Sequence, residues 1–262
     1  MNNLKAKFIH LIGSIPIIGN ILRRYARNYQ EGSIVTISSG YAKGMKWRRF
    51  LKYPLGFHLG IYEPEMQTAI AKNLKPGSVF YDIGANAGFF GLIASKLMGE
   101  QGEVYCFDPV PENVAYIRDL FSINELNQGT VIEMAVGCKS GIIKFKNNGR
   151  LETRKIADLT NTNCIDVSII SLDDFICNHR PPNLIKVDVE GAETDVIEGA
   201  AKMLSSGYRP TWIIELHSNE NAYKAYKLLS QYGYSFYSLS GKQLTENNLP
   251  RHIIAMIRQS DK

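Results

Sequence analysis

Between residues 64 and 258, short apolar runs alternate with segments whose apolar positions recur every three or four residues. The first pattern predicts buried strands and the second amphipathic helices. Residues 65–74 predict a helix ended by Lys75-Pro76-Gly77, and 78–82 a strand. Residues 89–98 put Phe90, Ile93, Ala94 and Leu97 on one helical face, closed by Gly99 and Gly102. A strand follows over 103–108. The next helix starts at Pro111, a favoured first-turn position, with Val114, Ile117 and Phe121 inward. Residues 130–136 predict a third strand, and 142–145 a hairpin strand after the turn Lys139-Ser140-Gly141. Residues 146–166 are polar and carry no clear period. Strands are predicted at 184–189 and 212–216, with helices at 193–204 and 219–232. Residues 234–239 and 252–258 close the chain as two strands with no helix between them. Such alternation implies an α/β fold, a doubly wound and mostly parallel sheet covered on both faces. The final pair adds an antiparallel strand near one edge. Ligands of such sheets bind at the carboxyl ends of the strands, so those residues are searched first.

The first sixty residues read differently. Leu4, Phe8, Leu11, Ile15, Ile18 and Leu22 keep a helical spacing that Gly13, Pro16 and Gly19 interrupt. No small-residue cleavage site follows, so the segment is not read as a signal peptide. It suits a helix packed on its own domain, or an amphipathic segment on a membrane face. The expected organisation is a basic N-terminal extension or lid over 1–60 and a catalytic domain over 61–262.

Charge sharpens that division. The 262-residue chain carries 30 Lys and Arg against 25 Asp and Glu. Ten of those bases and one acid, Glu31, precede residue 61, so this part is +9 and the rest −4. A basic arm on an acidic body suggests an anionic partner for the arm and no nucleic acid for the body. Lys43, Lys46, Arg48, Arg49 and Lys52 interleave with Trp47, Phe50 and Tyr53. That mixture can serve a membrane surface, a phosphorylated glycan, a single-stranded nucleic acid or a packed lid. The expected partner is a small molecule or glycan, anionic or lipid-linked, with peripheral membrane contact through residues 1–25. Cys106, Cys138, Cys164 and Cys177 form no CxxC motif and no disulfide framework. With no apolar run of about 18 residues, the expected location is cytoplasmic, at most peripheral at the inner membrane face.

The first strand runs into Asp82-Ile83-Gly84-Ala85-Asn86-Ala87-Gly88. Its glycines allow a tight turn and close approach of a ligand to the backbone. The spacing departs from the GxGxxG dinucleotide fingerprint. Asp82 would repel a pyrophosphate and suit an ammonium, as in the amino acid tail of S-adenosylmethionine. Alone, this is also an ordinary strand-to-helix turn. Asp108, twenty residues past Gly88 at the end of the next strand, adds an acid suited to ribose hydroxyls. The pair is more specific than either part.

These residues resemble the FkbM family of methyltransferases. The resemblance runs through Gly60-Ile61-Tyr62-Glu63, the stretch from Val79 to Phe90, and Ile185-Lys186-Val187-Asp188-Val189-Glu190-Gly191-Ala192-Glu193. It spans residues 60–240 and is best over 79–205, with the KVDVEGAE segment its most specific part. It implies a class I methyltransferase (Rossmann-like) fold, S-adenosylmethionine as donor and a hydroxyl of a sugar or natural product as acceptor. It also implies that Asp82, Gly84 and Asn86 hold the methionine part, with Ala85 and Gly88 completing the loop. Asp108 would take the ribose, Glu63 would reach the cofactor, and Ala135 would lie near the adenine.

Methyl transfer needs alignment, and a sugar hydroxyl benefits from a base. On the fourth strand Lys186, Asp188 and Glu190 share a side, because side chains alternate. Three charges on a buried strand suggest function, although Lys186 and Asp188 also suit a structural ion pair, with Glu190 and Glu193 favouring the next helix's N-terminus. On the fifth strand Glu215 and His217 share a side, and His217 titrates near neutrality in its ordinary state. The expected catalytic residues are Asp188, His217 and Lys186, with His217 as base and His58 a weaker candidate. Asp188, Glu190, Glu193, Glu215 and His217 could together take a cation, but linear spacing resolves no ligand set and no metal is assigned. The expected function is S-adenosylmethionine-dependent O-methylation of a saccharide or related small molecule. The alternatives are a non-catalytic S-adenosylmethionine-binding module tethered to membranes, or a nicotinamide-dependent oxidoreductase.

Overall fold

The computed structural model describes residues 30–50, 52–146 and 164–257. The expected membrane-facing stretch, 1–25, lies outside them. Seven strands form the central sheet: β3 (Val79–Ile83), β4 (Glu103–Phe107), β5 (Gly129–Ile132), β9 (Leu184–Val187), β10 (Thr211–Glu215), β11 (Ser235–Ser238) and β12 (His252–Met256). Their order is β11-β12-β10-β9-β3-β4-β5. Pairings from β10 through β5 are parallel, whereas β12 is antiparallel to both neighbours. The doubly wound sheet with an antiparallel strand near one edge is therefore observed.

Alternating side chains feed two layers. Phe80, Val104, Leu184, Ile213 and Ile254 face one core, whereas Tyr81, Tyr105, Ile185, Trp212 and Ile253 face the other. On the first face lie α2 (Pro64–Asn73), α3 (Phe89–Met98) and α4 (Pro111–Ile123). On the second lie α5 (Leu172–Phe175), α6 (Glu193–Glu198), α7 (Ala201–Ser205) and α8 (Asn219–Ser230). All five residues of β3 are buried, as a central parallel strand requires.

Two predicted elements divide. The strand expected over 130–136 splits into β5 and β6 (Ala135–Val136). The latter pairs with β8 (Cys164–Ile170) in a separate three-stranded sheet that includes β7 (Gly141–Lys146). The helix expected over 193–204 becomes α6 and α7. At the break, Asp173 accepts hydrogen bonds from the Lys202 and Met203 N–H groups at 2.8 Å each, which starts a new helix. A Cβ on Gly199 would stand 2.1 Å from the Gly137 carbonyl oxygen, so glycine permits the close packing there.

The described part of the basic segment joins the core. Strands β1 (Ile34–Thr36) and β2 (Lys46–Arg48) form a hairpin whose Trp47 is buried. Trp47 meets Phe57, Phe89 and Tyr116 at ring separations of 5.1, 5.8 and 5.5 Å. Arg48 donates two hydrogen bonds to Asp119 at 2.7 and 2.9 Å, and Lys52 pairs with Glu112 at 2.6 Å. Asn124 ties to both the N–H and the carbonyl of Lys46. The interleaved Trp47, Phe50 and Tyr53 are thus packing residues rather than a stacking platform. Among the described residues, no helix is long and apolar enough to cross a membrane.

Truncating Trp47→Ala should remove a shared anchor of hairpin and body and cost about 3–5 kcal/mol. Urea unfolding followed by circular dichroism measures it, and a loss below about 1 kcal/mol would show the hairpin to be peripheral.

Candidate active site

Strand β3 ends at Ile83, and the chain turns at Gly84 with φ +76°. A Cβ there would lie 1.8 Å from the Asp188 carbonyl oxygen, so the turn can press against β9 only as glycine. The Gly84 and Ala85 N–H groups both donate to the Phe107 carbonyl at 3.0 Å. The Asn86 N–H donates to Asp108 Oδ2 at 2.8 Å. Asp108 Oδ1 accepts from the Val110 N–H at 2.9 Å and from Asn113 Nδ2 at 3.1 Å. Burial pushes the Asp108 carboxyl up, against these three bonds. The glycine loop is thereby braced between the ends of β4 and β9.

Register places Asp82 beside Lys186 on the neighbouring strand. Lys186 Nζ stands 3.3 Å from Asp82 Oδ1 and 3.5 Å from Asp188 Oδ2, and 5.3 Å from the centre of the Phe90 ring. Side-chain exposure rises along this file, from 0% at Asp82 and 3% at Lys186 to 29% at Asp188. Burial is the largest influence on Lys186 and disfavours its charge. Asp82, Asp188 and Glu63 together outweigh it and hold the pKa above the ordinary lysine value. Lys186 is therefore a fixed cation and not a base. Asp82, expected at the ligand, has its carboxylate directed to Lys186 with no exposed surface.

His217, just past β10, caps the file. Its Nδ1 is 2.7 Å from Glu193 Oε1. Glu193 is fully buried and also accepts from the Gly191 N–H at 2.8 Å and from Asn221 Nδ2 at 2.8 Å. An acceptor-only carboxylate makes Nδ1 the donor. Nε2 faces Glu190 Oε2 at 3.4 Å, Glu215 Oε1 at 3.6 Å and Asp188 Oδ1 at 3.7 Å. It is buried with no hydrogen-bond partner among the described residues. Glu190 reaches this cluster from a left-handed backbone, φ +55°.

Glu63, also left-handed at φ +41°, lies with Glu215 and His252, one ligand atom of each falling within 4.8 Å of the others. Burial raises the Glu63 carboxyl. Burial acts the same way on Glu215, but His252 and Arg251 overcome it and hold Glu215 at about 2. Arg251 Nε donates to Glu215 at 2.6 Å, and His252 Nε2 lies 3.1 Å away. Ala135 is buried in β6, in the second sheet. Burial, with Arg49, holds His58 near 4.

The structure thus gathers Asp82, Gly84, Lys186, Asp188 and His217 at adjoining strand ends. Sequence reasoning missed the pairing of Glu193 with His217 and the part of Asn221. Neither had a linear signal beyond Glu193 opening a helix. It also missed Arg251 and His252 as the partners of Glu215, because the antiparallel register of β10 with β12 sets that contact.

A family model described as the Methyltransferase FkbM domain matches residues 82–236. The hexuronic acid methyltransferase AglP of Haloferax volcanii is 25% identical over 203 residues, covering 76% of this chain and 78% of that protein. The 2-O-methyltransferase NoeI of Sinorhizobium fredii is 25% identical over 193 residues, covering 64% and 76%. Among solved structures, precorrin-6y C5,15-methyltransferase from Geobacter metallireducens aligns with a TM-score of 0.47 at 16% identity, covering 75% of this chain and 88% of its own.

Two measurements test this geometry. Lys186→Met strands two carboxylates and should cost about 3–5 kcal/mol, partly restored by adding Asp82→Asn. Equal stability of the single and double variants in urea would show the pair to be uncoupled. Glu215 has a folded pKa near 2 against an ordinary 4.5, so its contribution is present above 4.5 and lost as pH falls towards 2. Glu215→Gln should therefore flatten part of the acid limb of stability against pH, and an unchanged limb would refute that role.

Proposed function

The chain belongs to the FkbM family of methyltransferases, and we propose that it methylates a hydroxyl of an acidic saccharide with S-adenosylmethionine as donor. When bound, that cofactor supplies a methyl group on a cationic sulfur, already electrophilic. The side chains around the loop suit such a ligand. Asp108, Asp188 and Glu63 are acids, and Lys186, the cation beside the loop, is already shared between Asp82 and Asp188. A cationic nucleoside without phosphate matches this set, whereas the pyrophosphate of a nicotinamide cofactor would meet carboxylates.

In this reading the braced backbone of Gly84, Ala85, Asn86 and Gly88 cradles the amino acid end, and Asp82 supports it from behind through Lys186. Three bonds already occupy Asp108. A carboxylate accepts about four, which leaves one acceptor position for a ribose hydroxyl. Glu63 and Ala135 complete the cofactor side. The acceptor hydroxyl lies at the outer end of the file, where Asp188 and His217 activate it and Lys186 holds Asp188 in place. The observation that carries the proposal is this graded row of charge, closed inside the sheet and open at Asp188 beside the glycine loop.

The names of the relatives support the acceptor, one a hexuronic acid methyltransferase and the other a 2-O-methyltransferase. The charge of +9 before residue 61 suits an anionic acceptor, lipid-linked or free. Arg48 and Lys52 are discounted because Asp119 and Glu112 neutralise them.

Asp188→Ala should retain S-adenosylmethionine binding by calorimetry while methyl transfer to uronic-acid-containing saccharides falls by roughly 10²–10⁴-fold. Undiminished transfer would remove Asp188 from the chemistry. Cofactor binding by the wild type with no transfer to any saccharide would favour the non-catalytic binding module.

A further inference from the structure

The cluster at the outer end of the file has an unusual electrostatic composition. Asp188 Oδ1, Glu190 Oε2 and Glu215 Oε1 surround His217 Nε2 at 3.4 to 3.7 Å. These separations exceed those of hydrogen bonds, about 2.7–3.2 Å. They come close to the roughly 3.0–3.5 Å expected between neighbouring ligands that each lie about 2.0–2.2 Å from one ion. One ligand atom from each of Asp188, Glu190 and His217 lies within 4.8 Å of the others.

The imidazole is prepared for ligation from behind. Glu193 is fully buried and accepts a hydrogen bond from the His217 Nδ1–H at 2.7 Å, and two further donors, Gly191 N–H and Asn221 Nδ2, hold Glu193 itself. In the neutral ring this leaves the Nε2 lone pair directed among carboxylates, with no donor to meet it. A carboxylate–histidine pair of this kind orients ring and tautomer for a metal ion. Elsewhere among the described residues the groupings are less suitable. In the Glu63–Glu215–His252 group, Arg251 and His252 already engage Glu215 at 2.6 and 3.1 Å. The Cys138–Asp195–Glu198 group has two exposed members, and no hydrogen bond among the described residues orients its ligand atoms.

We infer that Asp188, Glu190 and His217 bind a divalent cation at the acceptor end of the crevice, with Glu193 and Asn221 as positioning residues. Two carboxylates and one imidazole suit Mg²⁺, Mn²⁺ or Zn²⁺ and leave coordination positions open. What the ion does rests on the O-methyltransferase reading. An acceptor hydroxyl bound at an open position becomes more acidic, as metal-bound water does. His217 and Asp188 then activate the hydroxyl as ligands of the ion rather than as direct bases, and the proton released on methyl transfer leaves to solvent past the exposed Glu190.

Full-length protein stripped with a chelator is titrated with Mn²⁺, and uptake is read from loss of the free-ion paramagnetic resonance signal. One strongly bound Mn²⁺ per chain is expected. Glu190→Gln, a change at an exposed side chain, and His217→Ala should each weaken it by on the order of 100-fold. Thermal melting checks that both variants fold. Wild-type protein that takes up no Mn²⁺ at about 1 mM, or folded variants that bind it as the wild type does, would overturn the site. S-adenosylmethionine titrated into the same samples tests the methyltransferase reading separately, because Mn²⁺ uptake does not depend on it.

Discussion

A single buried ammonium organises this molecule. Lys186 sits in the middle of the central sheet with almost no exposed surface, shared between Asp82 on β3 and Asp188 just past β9. Desolvating a lysine is expensive, and only paired carboxylates in good geometry offset it. The pairing therefore fixes both acids as firmly as it fixes the lysine. It also locks the ends of two adjacent strands together at the point where the glycine loop turns away. The backbone repeats the arrangement: Gly84 has no Cβ to hold it off the Asp188 carbonyl, and the Asp188 N–H donates to the Ile83 carbonyl at 3.0 Å.

From that fixed centre the site grows outward by strand ends. β4 contributes Asp108, whose bonds to Asn86 and Val110 shape the loop rather than leave it adaptable. β10 delivers His217, and the first turns of α6 and α8 supply Glu193 and Asn221 to orient it. Ser218 caps α8 by accepting the Asn221 N–H at 3.1 Å, which sets the direction of the Asn221 side chain as well. A helix cap thus serves the site by fixing Asn221, which holds Glu193 and through it His217.

The N-terminal segment shows how contacts reduce a charge count. Its excess of bases reads as an arm reaching for an anion. Yet two of its side chains, Arg48 and Lys52, are neutralised by acids of α4, and Trp47 lies inside the core. Burial of the large Trp47 ring outweighs what the exposed Lys52–Glu112 pair contributes, since such pairs are worth about 0.2–1 kcal/mol, whereas the part-buried, two-bond Arg48–Asp119 pair adds to the anchoring. Among the described residues, Trp47 and Phe57 are part of the core of the methyltransferase body, and Phe50 and Tyr53 pack against it.

Most elements from α2 to β12 were legible in the chain, because a covered parallel sheet leaves continuous apolar strands and periodic helices; β8 and the short α5, which lie outside that sheet, were not. So were the glycine loop, Asp108 and the charged strand end at Lys186 and Asp188, since charge on a buried strand stands out in any sequence. What the chain could not show was the partner of each charge. The file from Asp82 through Lys186 depends on the register of β3 with β9, and the grip on Glu215 depends on the register of β10 with β12. The division of the third strand and of the helix after Glu193 followed contacts with Ile169 and Asp173, more than thirty and twenty residues distant. Local periodicity decides which segments are strand or helix. Only tertiary packing decides which carboxylate faces which base, because that choice is made between residues far apart in sequence and a few ångströms apart in space.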